Sequence, residues 1–158
     1  PANGVAELTA AQVQDIFAGK IANWKEVGGA DAAITLYTRD EASGTREVFW
    51  EKLLKKGAIA DKANVVASNG AMKVAVSQDA QAIGYMSIGF VDAEVKAPKL
   101  DGVEPSQDNA KSGAYKVARK LFMNTKGQPQ GLTKLFIDYV TGPECTDIIS
   151  KAGYIPIK

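Results

Sequence analysis

Two consecutive segments each read as a strand, a short polar turn and the start of a helix, and a chain with that order is committed to a layered α/β arrangement. The first begins with Ala33-Ile34-Thr35-Leu36-Tyr37-Thr38, which alternates apolar and polar residues as a strand does. A polar stretch, Arg39-Asp40-Glu41-Ala42-Ser43-Gly44-Thr45, follows it. Val48, Phe49, Leu53 and Leu54 then fall at helical spacing, which predicts a helix from about Ser43 to Lys56 that stops at Gly57. The second segment is weaker: a short apolar run, Asn64-Val65-Val66-Ala67, a turn at Ser68-Asn69-Gly70, and a helix carrying Met72, Val74, Ala75 and Val76. Strands and helices that alternate in this way build a parallel or mixed sheet flanked by helices.

The flanking chain fits the same plan. Thr9 with Gln12 three residues later forms a capping box for a first helix, with Val13, Ile16 and Phe17 on its apolar face and Gly19 at its end. Trp24 and Val27 anchor a compact connection that turns at Gly28-Gly29 into the strand beginning at 33. Ala82-Ile83-Gly84-Tyr85-Met86 reads as a buried strand, and Ala114 to Met123 shows strand-like alternation at Tyr115, Val117 and Leu121. Leu132, Leu135, Phe136, Tyr139 and Val140 define an amphipathic helix ending at Gly142, and a shorter one runs from Pro143 to Lys151. With no repeat and no clear linker, a single compact unit is the expected organisation.

Several function classes are excluded by what the chain lacks. Its 158 residues carry 19 Lys and Arg against 18 Asp and Glu, so no broad basic field exists for nucleic acid. No run approaches membrane-spanning length, and no signal peptide is read in the chain, which opens on Pro1-Ala2-Asn3 as an excised domain does. Histidine is absent, which removes Ser-His-Asp and Cys-His catalysis and histidine metal sites. The carboxylates show no metal-ligand pattern, and no cofactor is implied. Cys145, the single cysteine, is a small apolar filler rather than a reactive thiol. Ser43 begins no Ser-x-x-Lys motif, and neither Gly-x-Ser-x-Gly nor a phosphate loop of the Gly-Lys-Ser/Thr type is present. A non-enzymatic protein with no catalytic residues is expected.

The stretch around Arg39 has a geometry that suits an oxyanion. A strand, a polar turn and a helix N-terminus together offer free backbone N–H groups and the positive end of a helix dipole. Ser43 and Thr45 add hydroxyls, Gly44 adds an accessible N–H, and Arg39 adds a planar fork that matches two oxygens of one anion. The bland reading of these residues is a capped helix beside a surface arginine. Ser68, Asn69 and Gly70 repeat the pattern without an arginine and are weaker candidates; a plain helix cap accounts for them equally well.

The order of motifs adds a family. Asn3 to Gln12, then Asp15-Ile16-Phe17-Ala18-Gly19-Lys20-Ile21-Ala22-Asn23-Trp24-Lys25-Glu26-Val27-Gly28-Gly29, resembles the PstS-type phosphate-binding proteins of ABC transporters. Arg39 followed by Ser43-Gly44-Thr45 and Phe49, then Ala82-Ile83-Gly84-Tyr85 and Gly153-Tyr154-Ile155-Pro156, continue the resemblance in order. It implies a type II periplasmic-binding-protein clamshell, an α/β protein of two lobes with phosphate in the cleft. On that resemblance Arg39 is the cleft arginine, Ser43, Gly44 and Thr45 are phosphate donors, and Glu41 pairs with Arg39 and orients it. The family's leading glycine/serine/threonine-rich loop and its proton-accepting aspartate have no counterpart before Leu8. The resemblance therefore implies a second, C-terminal-type lobe over 1–114 and a return segment over 115–158, lacking the N-terminal part of the first lobe.

The implied partners are inorganic phosphate, the missing first lobe and the membrane subunits of an ABC transporter, in an extracytoplasmic setting, periplasmic or tethered to the cell surface. A homodimer, or a swap of the 115–158 segment, is expected of an isolated lobe. The second reading, from another class, is a non-catalytic interaction or sensory module that keeps the scaffold with a vestigial anion site.

Overall fold

A computed structural model describes residues 1–157. The chain divides into two units, Pro1–Ala118 and Arg119 onward.

In the first unit, β1 (Glu7–Leu8) leads into α1 (Ala10–Phe17). The expected capping box is present: the Thr9 hydroxyl accepts from Gln12 N–H at 3.1 Å, and Gln12 Oε1 accepts from Thr9 N–H at 2.8 Å. Val13, Ile16 and Phe17 are buried, as their spacing requires. A 3₁₀ turn, Trp24–Val27, ends at Gly28, whose φ of 83° is a left-handed conformation that glycine adopts at little cost. Trp24 is buried and donates its indole N–H to the Gln81 carbonyl at 2.9 Å, pinning this connection to the chain just before the fourth strand.

The central strand, β2, spans Thr35–Arg39. It is followed by α2 (Gly44–Val48), which continues without a break as a π-helical turn over Phe49–Leu53. β3 (Asn64–Val66), α3 (Asn69–Gln78) and β4 (Ala82–Ile83) complete the alternation. The three strands form a parallel sheet in the order β3-β2-β4, with Arg39 beside Val66 and Leu36 beside Ile83. A second, two-stranded parallel sheet pairs β1 with β5 (Lys99–Leu100), and α4 (Gln107–Ser112) follows it.

Side chains alternate across β2. Leu36 and Thr38 are buried on one face, where Leu36 joins a core with Leu8, Ile16, Phe17, Trp24, Phe49 and Tyr85. Phe49 stacks on Tyr85 with ring centroids 4.0 Å apart and planes 10° apart, and Phe17 meets Phe49 edge-on at 4.7 Å. Such aromatic pairs add about 0.5–1.5 kcal/mol beyond the area they bury. Met72 of α3 is fully buried, and it packs where Gly84 has no side chain.

Three expectations change. The helix predicted to Lys56 closes at Leu53, because the wider π turn sets Phe49, Leu53 and Leu54 all into the core; the Leu54 N–H reaches the Phe49 carbonyl at 3.0 Å. Lys55 and Lys56 then take positive φ angles, so the reversal is made by two lysines rather than by Gly57. The strand predicted over 82–86 pairs only at Ala82–Ile83, since Tyr85 turns into the core. The alternation over Ala114–Met123 forms no strand; Leu121 and Phe122 are exposed, and alternation without a neighbouring strand to pair with builds no ladder.

The second unit holds α5 (Gly131–Thr141), a 3₁₀ turn at Pro143–Cys145 and α6 (Thr146–Lys151). Both predicted helices are present. The apolar stripe of α5 is open, with Leu132, Leu135, Phe136 and Tyr139 exposed. Cys145 is buried, as expected of a filler, and the contact with its thiol holds the Tyr139 phenol above the ordinary tyrosine value.

Candidate functional site

Three parallel strands deliver their carboxyl ends to one edge of the sheet, and the chain leaving each end carries polar groups. In open α/β sheets ligands bind in this place. After β2 come Asp40–Ser43 and the first turn of α2. After β3 come Ala67, Ser68 and the first turn of α3. After β4 come Gly84–Ser87, where Ser87 precedes a 3₁₀ turn at Ile88–Phe90.

Arg39 is the last residue of β2, and its side chain is 11% exposed. Its guanidinium is held by neutral acceptors. Nε donates to the Val66 carbonyl at 3.1 Å, Nη2 to the Ala67 carbonyl at 3.0 Å, and Nη1 to Asn69 Oδ1 at 3.3 Å. A guanidinium has five N–H donors, so these bonds leave one on each terminal nitrogen. The acidic group near it is Asp40, whose Oδ2 lies 3.8 Å from Nη2 on a side chain that is 43% exposed. Arg39 is therefore fixed in place while its charge is only loosely balanced.

Ser43 is the N-cap of α2 and is buried. Its hydroxyl oxygen accepts from Arg46 N–H at 3.2 Å, which leaves the hydroxyl hydrogen to donate outward. Gly44 and Thr45 begin the helix, where backbone N–H groups have no partner one turn back. Arg46 ties this turn down: Nη1 donates to the Arg39 carbonyl at 2.9 Å, so the start of α2 is bonded to the end of β2.

Glu41 does not pair with Arg39. It lies 3.9 Å from Arg46 Nη2 and is 92% exposed, because the turn directs its side chain away from the sheet edge. Asp40 takes the neighbouring position instead. Ser68 is a plain cap, its hydroxyl accepting from Ala71 N–H at 3.0 Å. Gly70 lies in the first turn of α3. Asn69, grouped with them as a weak candidate, is the member that touches Arg39.

Two residues outside the predicted set belong to the site's support. The Tyr85 hydroxyl accepts from Arg39 N–H at 3.1 Å and lies 2.8 Å from the Thr38 hydroxyl. Ser87 bonds Asn69 twice, through its N–H at 3.3 Å and its hydroxyl at 3.2 Å. Sequence spacing carried no signal for either pairing, since each joins segments far apart in the chain. An open groove of about 420 Å³ also borders α2, lined by Glu41, Ser43, Arg46, Glu47 and Trp50 among others. Gly44 lines it as well, and the Arg46 guanidinium on its wall lies 3.9 Å from the Glu41 carboxylate. Among the described residues no group of three or more acidic or cysteine side chains is placed to hold a metal ion.

A family model described as a PBP superfamily domain matches residues 1–144. The chain belongs to the PBP superfamily. A relative within reach of this PBP chain is the phosphate-binding protein PstS of Bacillus subtilis, 36% identical over 99% of this chain and 53% of its own length. PstS of Borreliella burgdorferi is 28% identical over 98% of this chain and 60% of its length. Among solved structures, a Clostridium perfringens protein determined with bound phosphate superposes with a TM-score of 0.91 at 37% identity, over 99% of this chain and 65% of that one. An ABC-type phosphate transport receptor from Vibrio cholerae gives 0.81 at 36% identity, over 99% and 66%. The chain thus spans about half to two thirds of the length of these relatives.

Proposed function

We propose that this chain binds inorganic phosphate as one lobe of a solute receptor for ABC-type uptake. The observation that carries the reading is Arg39: a nearly buried guanidinium, held by neutral acceptors at the carboxyl edge of a parallel sheet, one short turn before a helix N-terminus. The two N–H groups left on its terminal nitrogens meet two oxygens of the anion. Gly44 and Thr45 offer backbone N–H groups, and Ser43 and Thr45 offer hydroxyls. Charge-assisted bonds and fixed dipoles replace the hydration shell, which is the main cost of taking the anion from water. No bond is made or broken, and the protein is a receptor rather than an enzyme. The names of the Bacillus relative and the bound phosphate of the Clostridium structure support phosphate as the ligand.

In this reading residues 1–114 are the second lobe of a clamshell and 115–158 are the segment that returns towards the first. The division of the chain after Ala118 and the greater length of the relatives support it. The exposed apolar residues of the second unit, Leu121, Phe122, Leu132, Leu135 and Phe136, are the surface on which the first lobe packs. Transporter membrane subunits are the further partners, outside the cytoplasm; among the described residues no helix is long and apolar enough to cross a membrane. The lobe on its own binds phosphate weakly and separates it poorly from sulfate, because the first lobe supplies the acceptor that reads the phosphate proton.

Calorimetric titration with phosphate and with sulfate at fixed salt tests the site. Arg39→Ala abolishes measurable binding; unchanged phosphate affinity in that variant refutes the assignment. Light scattering of the isolated chain tests the apolar surface. A dimer held by the 119–158 segment that also binds no phosphate would favour the second reading, an interaction module with a vestigial site.

A further inference from the structure

Both backbone groups of Arg39 are held by side chains. Its N–H donates to the Tyr85 hydroxyl at 3.1 Å, and its carbonyl accepts from Arg46 Nη1 at 2.9 Å. Tyr85 is stacked on Phe49 in the aromatic core, whereas Arg46 is the third residue of α2 and reaches back over the turn at Asp40–Ser43. The backbone N–H of Arg46 donates to the Ser43 hydroxyl at 3.2 Å. One residue therefore bonds the strand end with its side chain and the helix cap with its main chain.

Local helix energetics does not account for an arginine at this position, because a positive charge in the first turn opposes the helix dipole. Its acidic neighbour, Glu41, stands 3.9 Å from Nη2 on an almost fully exposed side chain, where an ion pair contributes little. What Arg46 adds is geometric. The backbone bond inside the turn, from Ser43 N–H to the Asp40 carbonyl at 3.2 Å, closes the turn on itself and does not include Arg39. The bond from Arg46 spans the whole turn and joins its two ends. A phosphate ion is small and rigid, so it cannot stretch to follow donors that drift apart.

We propose that Arg46 is a positioning residue: it fixes the separation between Arg39 and the donors at Ser43, Gly44 and Thr45, so that one anion meets both. This rests on those four residues binding the anion. Arg46 acts through the turn and not as a ligand of its own. Without its bond the turn opens part of the time, and the apparent affinity falls with the fraction of molecules that stays competent. A hydrogen bond from a charged donor, at the low end of its usual strength, sets that fraction at about one tenth.

Calorimetry with inorganic phosphate, on the wild-type chain, Arg46→Met and Arg46→Lys, decides it. Arg46→Met keeps the stem and loses the donor; it binds about tenfold more weakly, by the same factor at low and at high salt. Arg46→Lys returns a charged donor to the Arg39 carbonyl and recovers most of the loss. Amide exchange at Gly44 and Thr45, read by NMR without ligand, speeds up in Arg46→Met and slows again in Arg46→Lys. If Arg46→Met does not fold, Arg46→Gln, whose shorter amide stops short of the carbonyl, carries the same expectations. A loss that vanishes at high salt would show that Arg46 acts through its charge alone, and overturns the inference. A lowered melting temperature with wild-type phosphate affinity is a purely structural role and overturns it too. So does Arg46→Lys without recovery, or exchange unchanged in Arg46→Met. In each of these cases the anion site stands as long as Arg39→Ala abolishes binding. If Arg39→Ala leaves phosphate binding unaltered, or the wild-type chain binds none, the anion site falls and the inference falls with it.

Discussion

The Tyr85 hydroxyl accepts the backbone N–H of Arg39 at 3.1 Å, so a side chain from beyond β4 does what a paired strand would otherwise do at the end of β2. The same oxygen lies 2.8 Å from the Thr38 hydroxyl, and the ring is stacked on Phe49. The position of the Arg39 backbone is thereby tied to the aromatic core. Tyr85→Phe keeps the ring and removes both bonds, leaving a buried N–H unpaired. The expected cost is about 1–3 kcal/mol of stability, read from urea unfolding. A cost near zero would mean that water replaces the phenol there.

Ser43 serves the fold as well as the proposed ligand. Ser43→Ala removes the bond to Arg46 N–H and lowers stability by about 1 kcal/mol. Ser43→Gly costs only a few tenths, because glycine is a tolerated cap. Thermal melts separate the two. If phosphate affinity falls in both variants alike, the hydroxyl is a ligand donor in addition to a cap.

Gly84 is required by a neighbour rather than by its own backbone angle. A methyl group there would land on the sulfur of Met72 and press Val76 Cγ2 at 3.3 Å. Met72 is fully buried and has little room to yield. Gly84→Ala is expected to lose about 1–3 kcal/mol, and Gly84→Ala with Met72→Ala to recover part of it. Additive losses in the double variant would disprove the clash.

Lys73 on α3 bonds Asp92 at 2.5 Å and Glu94 at 2.8 Å, both beyond the 3₁₀ turn at Ile88–Phe90. The hydrogen bond from Lys73, then the Glu94 N–H, hold the Asp92 carboxyl below its ordinary value of 3.8. Bonds to the same two carboxylates hold the Lys73 ammonium above its ordinary value of 10.5. A lowered carboxyl stabilises the fold above its unfolded value and ceases to do so as pH falls through the folded one. A raised ammonium stabilises the fold below its unfolded value and ceases to do so as pH rises through the folded one. The melting-temperature gap between wild type and Lys73→Met is therefore widest near neutrality. It narrows below about pH 4 and again above about pH 10. A gap that is flat from pH 3 to 7 would show that the pair contributes through packing alone.

Local chemistry was the legible part of the sequence. The capping box at Thr9 and Gln12 is closed by residues three apart, and the strand and helix periods around Arg39 need no distant partner to be read. What failed was whatever depends on a neighbour far along the chain. The alternation over 114–123 matched a strand, yet a strand exists only where another lies beside it. Glu41 stood two residues from Arg39, the right spacing for one face of an extended segment, but the chain turns at Asp40 and the spacing rule no longer holds. Asn69 was grouped with Ser68 and Gly70 as a possible ligand, because only the ladder that sets Arg39 beside Val66 brings its amide to the guanidinium.

The π turn at Phe49–Leu53 gives the molecule a tolerance of chain length. Such a turn holds one residue more than an α-helix needs to cover the same path. Deleting Glu51, whose side chain is on the surface, would let the ladder relax to ordinary α geometry and leave the first turn of α2 where it is. The change would be felt downstream, where Leu54 would swing out of the core and the reversal at Lys55 and Lys56 would start one step early. Shortening this helix by a single residue is thus a structural edit with a direction: the end that carries Ser43 and Gly44 stays in register, and the far end carries the shift.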